Sequence, residues 1–446
     1  MPLIKSIRLL FICILIAWST SLFSQDTFRI NGNTKSYSMS FKLINDLIVV
    51  PVKVNGSELN FLLDTGVNNT IMFNLSIEDS TRLKNTRIIR IRGLGEGGYI
   101  NAIQSEGNRF ELGKVINGQH MIYLIPGKEF DLAARMGVDI SGIIGGDLFR
   151  DFIIDINYSG KRIKFYKPSS FDYQKCRKCE SFDLSFNRGK PYVDIQVQDR
   201  GQVIDTKLLI DTGGGKTLWL FDRSSDQIKD PTNYFEDFLG RGLSGDIYGR
   251  RSKIDEILIG SHRFRNANVA YPDSTSVASA YRFKERNGSL GAGLLKRFRL
   301  LFDYRAKKLT LRRKSSYYSD PFLYNMSGIE LLHGGTMLVQ DKKRTVDSGY
   351  GTQTESKPIV QILYEFVYDF KPLYRISSIR KNSPAEKTGL LPDDVILEIN
   401  GKGAYQYKLE EIIQMFSKEE GKWFKLLIDR DGKKMLYSFR LENVLD

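Results

Sequence analysis

Two carboxylic acids in matched settings are the residues on which chemistry is most readily built. Asp64 stands in Phe61-Leu-Leu-Asp-Thr-Gly66 and Asp211 in Leu208-Leu-Ile-Asp-Thr-Gly213. In each, three apolar residues run into Asp-Thr-Gly. The apolar run predicts a short buried strand. The Gly permits a sharp turn directly after the acid. A carboxylate carried to the end of a rigid strand is costly unless it is paired, hydrogen-bonded or used. Two such sites suggest acids that meet face to face. The competing reading is two ordinary strand-to-turn corners, each with an Asp holding the turn.

The surrounding chain decides between these readings, because it repeats as well. Asp211 follows Asp64 by 147 residues, and Gly260 follows Gly113 by 147. Gly291 follows Gly145, Phe298 follows Phe152 and Tyr304 follows Tyr158, each by 146. Landmarks at nearly one offset read as an internal duplication. The period is too long for a solenoid unit and suits two similar lobes.

The elements that must position the acids follow from local pattern. Leu47 to Val54 alternate and are β-rich, and Asn55-Gly56 signals a hairpin into the strand that ends at Asp64. Thr70-Ile-Met-Phe73 predicts a further short strand. Gly142-Ile-Ile-Gly-Gly-Asp and Gly288-Ser-Leu-Gly-Ala-Gly predict strands threaded close beside the acids, with Gly where two backbones approach. Short helices are expected over 147–151 and 293–297. Ser289 stands where an apolar residue is expected. Two Gly-rich segments occupy matched places: Gly93-Leu-Gly-Glu-Gly-Gly-Tyr99, and Gly240 to Tyr248.

Two lobes with one Asp-Thr-Gly each resemble the aspartic peptidases, and most closely the bacterial retropepsin-like branch with both lobes in one chain. The resemblance covers about residues 40 to 314. It implies a mainly β fold of two acid-protease-like β-barrel lobes, residues 25–170 and 171–316. It makes Asp64 and Asp211 a catalytic dyad around one water. Thr65 and Thr212 would brace the two loops, and Gly66 and Gly213 would turn backbone N–H groups toward the carboxylates. The Gly-rich segments become mobile flaps over a bound peptide, through Gly95, Gly97 and Tyr99 and through Gly242, Gly245 and Tyr248. Gly supplies a lid's flexibility and Tyr a surface to lie on the substrate. No metal or organic cofactor is implied.

Beyond about Ser315 the repeat ends. Ser383-Pro-Ala-Glu-Lys-Thr-Gly-Leu390 predicts a capped helical turn. Asp394 to Asn400 alternates as a strand, and Leu409, Ile412, Ile413 and Phe416 fall on one helix face. Asp431-Gly432 joins the last two strands. This order resembles a peptidase-associated bacterial PDZ domain, an α+β module over 322–446 with its core at 373–444. Asp393 departs from that pattern, which has Gly there, so a strained turn is expected. Gly328, Ile329 and Leu331 would form the loop and first strand that cradle a peptide carboxylate. Residues 333–372 would then be a long insertion.

The whole chain sets the frame. It has 446 residues, 41% hydrophobic, so real cores in two or three domains are expected. Lys5 and Arg8 followed by an apolar run from Leu9 to Trp18 read as an export signal over residues 1–24. A periplasmic or cell-envelope location in a bacterium is expected, without a stable transmembrane segment once the signal is removed. The formal charge is +14. For an exported protein, nucleic acid is a poor partner, and the basic clusters read as solvated faces. Cys176 and Cys179 read as a local staple or free thiols, and His120, His262 and His333 are too scattered for a zinc site. The expected partners are a protein or peptide substrate, and a peptide or protein ligand at the PDZ domain. The function expected is an exported aspartic endopeptidase. The alternative is a catalytically silent peptide-binding scaffold of the same fold.

Overall fold

The computed structural model describes residues 27–73, 83–127, 132–173, 176–349 and 359–445. The expected export signal lies outside them. The fold is mainly β, as expected.

In the first lobe, the strand Leu47–Val54 turns through Asn55 and Gly56 into Ser57–Leu63. Both turn residues have positive φ, 49° and 98°, which is the two-residue hairpin geometry that Asn-Gly favours. Phe61, Leu62 and Leu63 are all buried, so this end of the strand is covered on both faces. That burial is why the sequence there is continuously apolar and does not alternate. Gly142–Ile144 pairs parallel with Phe61–Leu63 and antiparallel with Thr70–Met72. Thr70–Met72 in turn pairs parallel with Ile122–Leu124. The long strand Ile100–Leu112 pairs with both Leu47–Val54 and Val115–Leu124, and so closes the sheet into a barrel.

The second lobe repeats these pairings with the same senses. Lys190–Asp199 and Gln202–Asp211 form its hairpin. Gly288–Gly291 runs parallel to Leu208–Asp211 and antiparallel to Leu218–Leu220. Leu218–Trp219 runs parallel to Val269–Ala270. Gly245–Ile259 pairs with Lys190–Asp199 as well as with His262–Pro272, which closes the second barrel.

A six-stranded sheet joins the lobes. Its centre is the antiparallel pair Ile153–Asn157 and Arg299–Asp303, one strand from each lobe. Across this seam Arg299 grips Asp155 with two bonds of 2.7 and 2.6 Å. One apolar core runs through both lobes and this sheet. Cys176 and Cys179 form a disulfide, at the entry to the strand Cys179–Asp183.

The glycines beside the acids are packing residues, as expected. A Cβ on Gly145 would lie 1.9 Å from the Val67 carbonyl, and one on Gly291 would lie 2.1 Å from the Lys216 carbonyl. The short helices that follow are Gly146–Asp151 and Ala292–Leu295, each beginning one residue before the expected start. Ser289 has a reason to be polar: its Oγ accepts a 2.6 Å bond from the buried Arg286.

The C-terminal module is built as its sequence implies. Ser383 Oγ caps the helix Pro384–Lys387 by accepting from Glu386 N, and Gly389 ends it at φ 86°. Leu409, Ile412 and Phe416 of the helix Leu409–Lys418 pack on a sheet that includes Val395–Ile399, Trp423–Arg430 and Lys433–Arg440. Asp393 has φ 72°, a strained value for a residue with a Cβ, and its carboxylate takes a 2.6 Å bond from Arg375. The expected insertion is a long hairpin, Ile329–Gly349 paired with Ile359–Ile379, that continues out of this sheet.

The module also packs against the lobes. Phe235 of the second lobe lies 5.3 Å from the Tyr324 ring and 4.1 Å from the Arg380 guanidinium. Arg135 of the first lobe pairs with Glu330 at 3.8 Å.

Candidate active-site cleft

The two Asp-Thr-Gly turns meet at the lobe interface. Thr65 and Thr212, both fully buried, make four hydrogen bonds across the lobe interface, two of them with each other. Thr65 N donates to Thr212 Oγ1 at 3.0 Å, and Thr212 N donates to Thr65 Oγ1 at 3.1 Å. Each hydroxyl donates onward to the opposite strand: Thr65 Oγ1 to the Ile210 carbonyl at 2.6 Å, Thr212 Oγ1 to the Leu63 carbonyl at 2.9 Å. A buried N–H or C=O left unpaired costs about 1–3 kcal/mol. The exchange therefore fixes the two turns in one relative position.

That position brings the acids together. The point where a Cβ on Gly66 would sit is 3.0 Å from Asp64 Oδ1 and 3.0 Å from Asp211 Oδ1. Gly66 N donates to Asp64 Oδ1 at 2.6 Å and Gly213 N donates to Asp211 Oδ1 at 3.1 Å. Gly213 has no room for a side chain, because its Cβ would lie 2.2 Å from Asp64 Cγ. Burial, and after it the Asp211 charge, push the Asp64 carboxyl well above its ordinary value of 3.8.

Two cations that no local pattern singles out lie near the pair. Lys190 lies close enough for both carboxylates to favour its charged form, while burial and the neighbouring Arg286 pull its ammonium below the usual lysine range. Arg286 donates to the Gly288 carbonyl at 3.0 Å and stacks 4.9 Å from the Phe221 ring. The available signal for this cluster was Ser289, an unexplained polar residue in an apolar strand.

The Gly-rich segments form two hairpin tips that interlock above the acids. One joins Thr86–Ile91 to Ile100–Leu112, and the other joins Phe235–Gly242 to Gly245–Ile259. Ser244 is the latch. Its N donates to the Leu94 carbonyl at 2.8 Å, and its carbonyl accepts from Gly97 N at 2.6 Å. Its Oγ accepts from Gly93 N at 3.0 Å and donates to the Gly98 carbonyl at 3.1 Å. Gly95, Gly97 and Gly242 are pressed against the opposite tip, whose atoms would lie 2.2–2.5 Å from their Cβ positions. Gly245 completes the second tip at φ 122°. The two tyrosines are placed differently from expectation. Tyr99 is half exposed, with Arg90 and Arg92 at 5.1 and 5.9 Å from its ring, and Tyr248 is exposed beside Phe238. Neither lines the cavity; Leu94 and Leu243 do. Cation–π contact with the two arginines holds the Tyr99 ring instead.

The cavity under the tips measures about 1230 Å³. It is lined by both aspartates, and also by Gly328, Ile329 and Leu331 of the C-terminal module. Gly328 precedes the module's first strand, in which Ile329 and Leu331 are buried in its core. The carboxylate cradle expected there is not open. Ser327 N already donates to Asn325 Oδ1 at 3.0 Å, and Ile329 N already donates to Ser327 Oγ at 3.0 Å. Gly328, at φ 81°, is wedged beneath Ser383, whose Cβ would lie 2.2 Å from a Cβ added there. Among the described residues, no cluster of His, Cys, Asp or Glu is arranged to hold a metal ion.

Two parts of the chain match families of known proteins. Residues 50–148 match the family model described as aspartyl protease, and residues 375–430 match that of the PDZ domain. The first match contains Asp64 and ends before the second lobe. Two curated relatives, each described as a probable CtpA-like serine protease, match over 59 residues: 39% identical in Staphylococcus saprophyticus and 36% in Staphylococcus haemolyticus. In each case 13% of this chain is covered, and the chain spans only 12% of the relative's length.

Proposed function

We propose that the protein is an exported aspartic endopeptidase in which Asp64 and Asp211 form the catalytic dyad. The observation that carries this reading is the reciprocal Thr65–Thr212 exchange, which turns two carboxyl groups toward one point beside Gly66. The near-identical pairing of the two barrels supports an origin by internal duplication. The apolar run after Lys5 and Arg8 supports export, as does the disulfide, which persists in oxidising compartments. No helix among the described residues is long and apolar enough to cross a membrane. The presence of both acids speaks against a silent scaffold.

With one proton on the pair, the ionised carboxylate removes a proton from a water lying between the acids. The water oxygen bonds to the scissile carbonyl carbon, while the protonated partner donates to the carbonyl oxygen. The tetrahedral species then loses its amine: the C–N bond breaks, the dyad delivers a proton to nitrogen, and a hydroxyl proton returns to the dyad. The interlocked tips exclude bulk water and hold an extended chain beneath them. They must part for a polypeptide to enter. Gly97→Ala places a methyl against the Ser244 carbonyl and is expected to lower kcat/KM about 10- to 100-fold. Most of the loss should appear in KM; an unchanged steady-state profile would count against the flap role.

The pH dependence follows from the dyad's surroundings. Activity needs one proton on the pair, and Asp64 is held well above the ordinary carboxylate range. Neither residue after the glycines, Val67 or Gly214, carries a hydroxyl to favour the charged form. A mildly acidic to neutral optimum is therefore expected. A Cβ at position 214 would lie 3.1 Å from Asp211 Oδ2, so a serine there brings its hydroxyl to that carboxylate. Val67→Ser with Gly214→Ser should move the pH–rate profile toward acid, by about one unit for each added 1.4 kcal/mol of preference for the ionised form. A wild-type optimum in strong acid, or a double variant with the same profile, would refute this.

A further inference from the structure

Around the turn that follows Asp211, the neighbouring acids already have cations of their own. Asp46 takes Lys296 at 2.6 Å. Asp237 accepts from Arg251, which also donates to the Phe238 carbonyl at 3.0 Å. Glu330 faces Arg135 at 3.8 Å, and that guanidinium lies 4.1 Å from the centre of the Phe238 ring. These pairs are drawn from both lobes and from the C-terminal module, and all of them line the cavity that holds Asp64 and Asp211.

Lys216 is the cation left over. It stands in the run Asp211-Thr-Gly-Gly-Gly-Lys216, on the turn that carries the second acid. Its backbone is fixed, because the Lys216 carbonyl accepts from Gly293 N at 3.2 Å. Its side chain is exposed, and the space it is exposed to is the cavity. Glu330, Asp237 and Asp46 act on it through charge, without a hydrogen bond. Arg251, and after it burial, lower its ammonium to about 8, so it still carries its charge at neutral pH. Arg380 adds a further cation to the same wall. It is buried, it feels Asp237 and Arg251, and its Nη2 has no hydrogen-bond partner among the described residues. Positive charge in excess within a walled space draws in an anion, because an unpaired charge removed from water is costly.

We propose that Lys216 sets specificity: its ammonium receives the carboxylate of an Asp or Glu side chain of the bound substrate, so that the enzyme selects polypeptides with an acidic residue near the scissile bond. The inference rests on the peptidase reading and names its substrate class. Five residues of extended chain span at most about 18 Å, so the turn from Asp211 to Lys216 places that acidic residue within about five positions of the cut bond. A basic side chain gains nothing at this place, since the three acids around Lys216 are already paired.

The test compares the full wild-type chain with Lys216→Met and Lys216→Glu on one random-sequence peptide mixture, amidated at every C-terminus so that side chains supply the only substrate carboxylates. Cut positions are read by mass spectrometry and the sequences aligned on the cut bond. Wild type should show Asp and Glu enriched about tenfold at one position, the ratio expected of a hydrogen bond between charged groups. Lys216→Met should flatten that peak, and Lys216→Glu should replace it with enrichment of Lys and Arg at the same position. Each enrichment is a ratio within one digest, so it does not depend on how much of a variant folds. The proposal is overturned if wild type cuts without an acidic preference, or if either variant keeps the wild-type profile. A free anion is the other source of the same charge. If inorganic phosphate raises the melting temperature of wild type and not of Lys216→Met, while cleavage shows no acidic preference, the site serves that anion and the proposal falls. Failure of the peptidase reading shows separately, as absence of any cleavage by the wild-type chain.

Discussion

Replacing either Asp64 or Asp211 by Asn is expected to lower peptide cleavage by at least about 10³-fold, because the remaining carboxyl cannot both take the water proton and supply one to the carbonyl oxygen. The fold should survive. Asn at 64 keeps an Oδ1 to accept the 2.6 Å bond from Gly66 N, and the Thr65–Thr212 exchange uses no carboxylate. Stability adds an independent check with a definite sign. In the folded chain the Asp64 pKa lies well above 3.8, so the folded state favours the protonated acid. Its contribution is greatest below the unfolded value and is lost as pH rises through the folded value. Asp64→Asn removes this penalty. The variant should therefore melt higher than wild type at neutral pH, with the difference fading in acid. A variant that melts lower at neutral pH would mean that the buried acid is structural and not poised for chemistry.

The second large effect is expected at a residue with no functional group. Gly213→Ala puts a methyl carbon where Asp64 Cγ now stands 2.2 Å away. Backbone at this turn cannot yield, because Thr212 is tied to Thr65 and Leu63 on one side and Gly214 N donates to the Asp211 carbonyl on the other. The carboxyl must move instead, and the two acids no longer face each other as a pair. A displacement of about 1 Å at a reacting group can cost about 100-fold, and loss of the shared proton should cost more. Gly32→Ala is the control for a generic glycine loss: it has positive φ but nothing within 4 Å of its Cβ position, and it lies far along the chain from the dyad. It should cost stability and little activity. Equal rates for Gly213→Ala and wild type would show that the acids do not act as a pair.

Much of this site was legible in the sequence, for definite reasons. The strand ending at Asp64 is buried on both faces, so its residues are continuously apolar and mark themselves. The Asn55-Gly56 turn needs two positive φ values and therefore a recognisable dipeptide. The repeat preserved the spacing of Gly145 and Gly291, because a Cβ at either would strike backbone. What the sequence did not show is where long polar side chains settle. No local pattern marks Lys190 or Arg286, yet the fold brings both beside the acids. Tyr99 is expected on the substrate, but its ring goes to two arginines. The seating of Phe235 against Tyr324 and Arg380 joins residues far apart in the chain and leaves no local pattern. The capped loop at Asn325 and Ser327 did carry a signal, since Asn and Ser readily bond their own backbone two residues on. It marks the Gly328 loop as self-satisfied.

The most direct test of the central claim is to incubate the purified wild-type chain with a diverse peptide mixture in ¹⁸O-labelled water, from acid to neutral pH, and to read the new C-termini by mass spectrometry. Water is the nucleophile in the proposed reaction, so each new carboxyl should carry one labelled oxygen from the cleavage step, and Asp211→Asn should yield none of these products. A folded wild-type chain that cuts nothing across the range, or an Asp211→Asn chain that cuts as wild type does, would contradict the account.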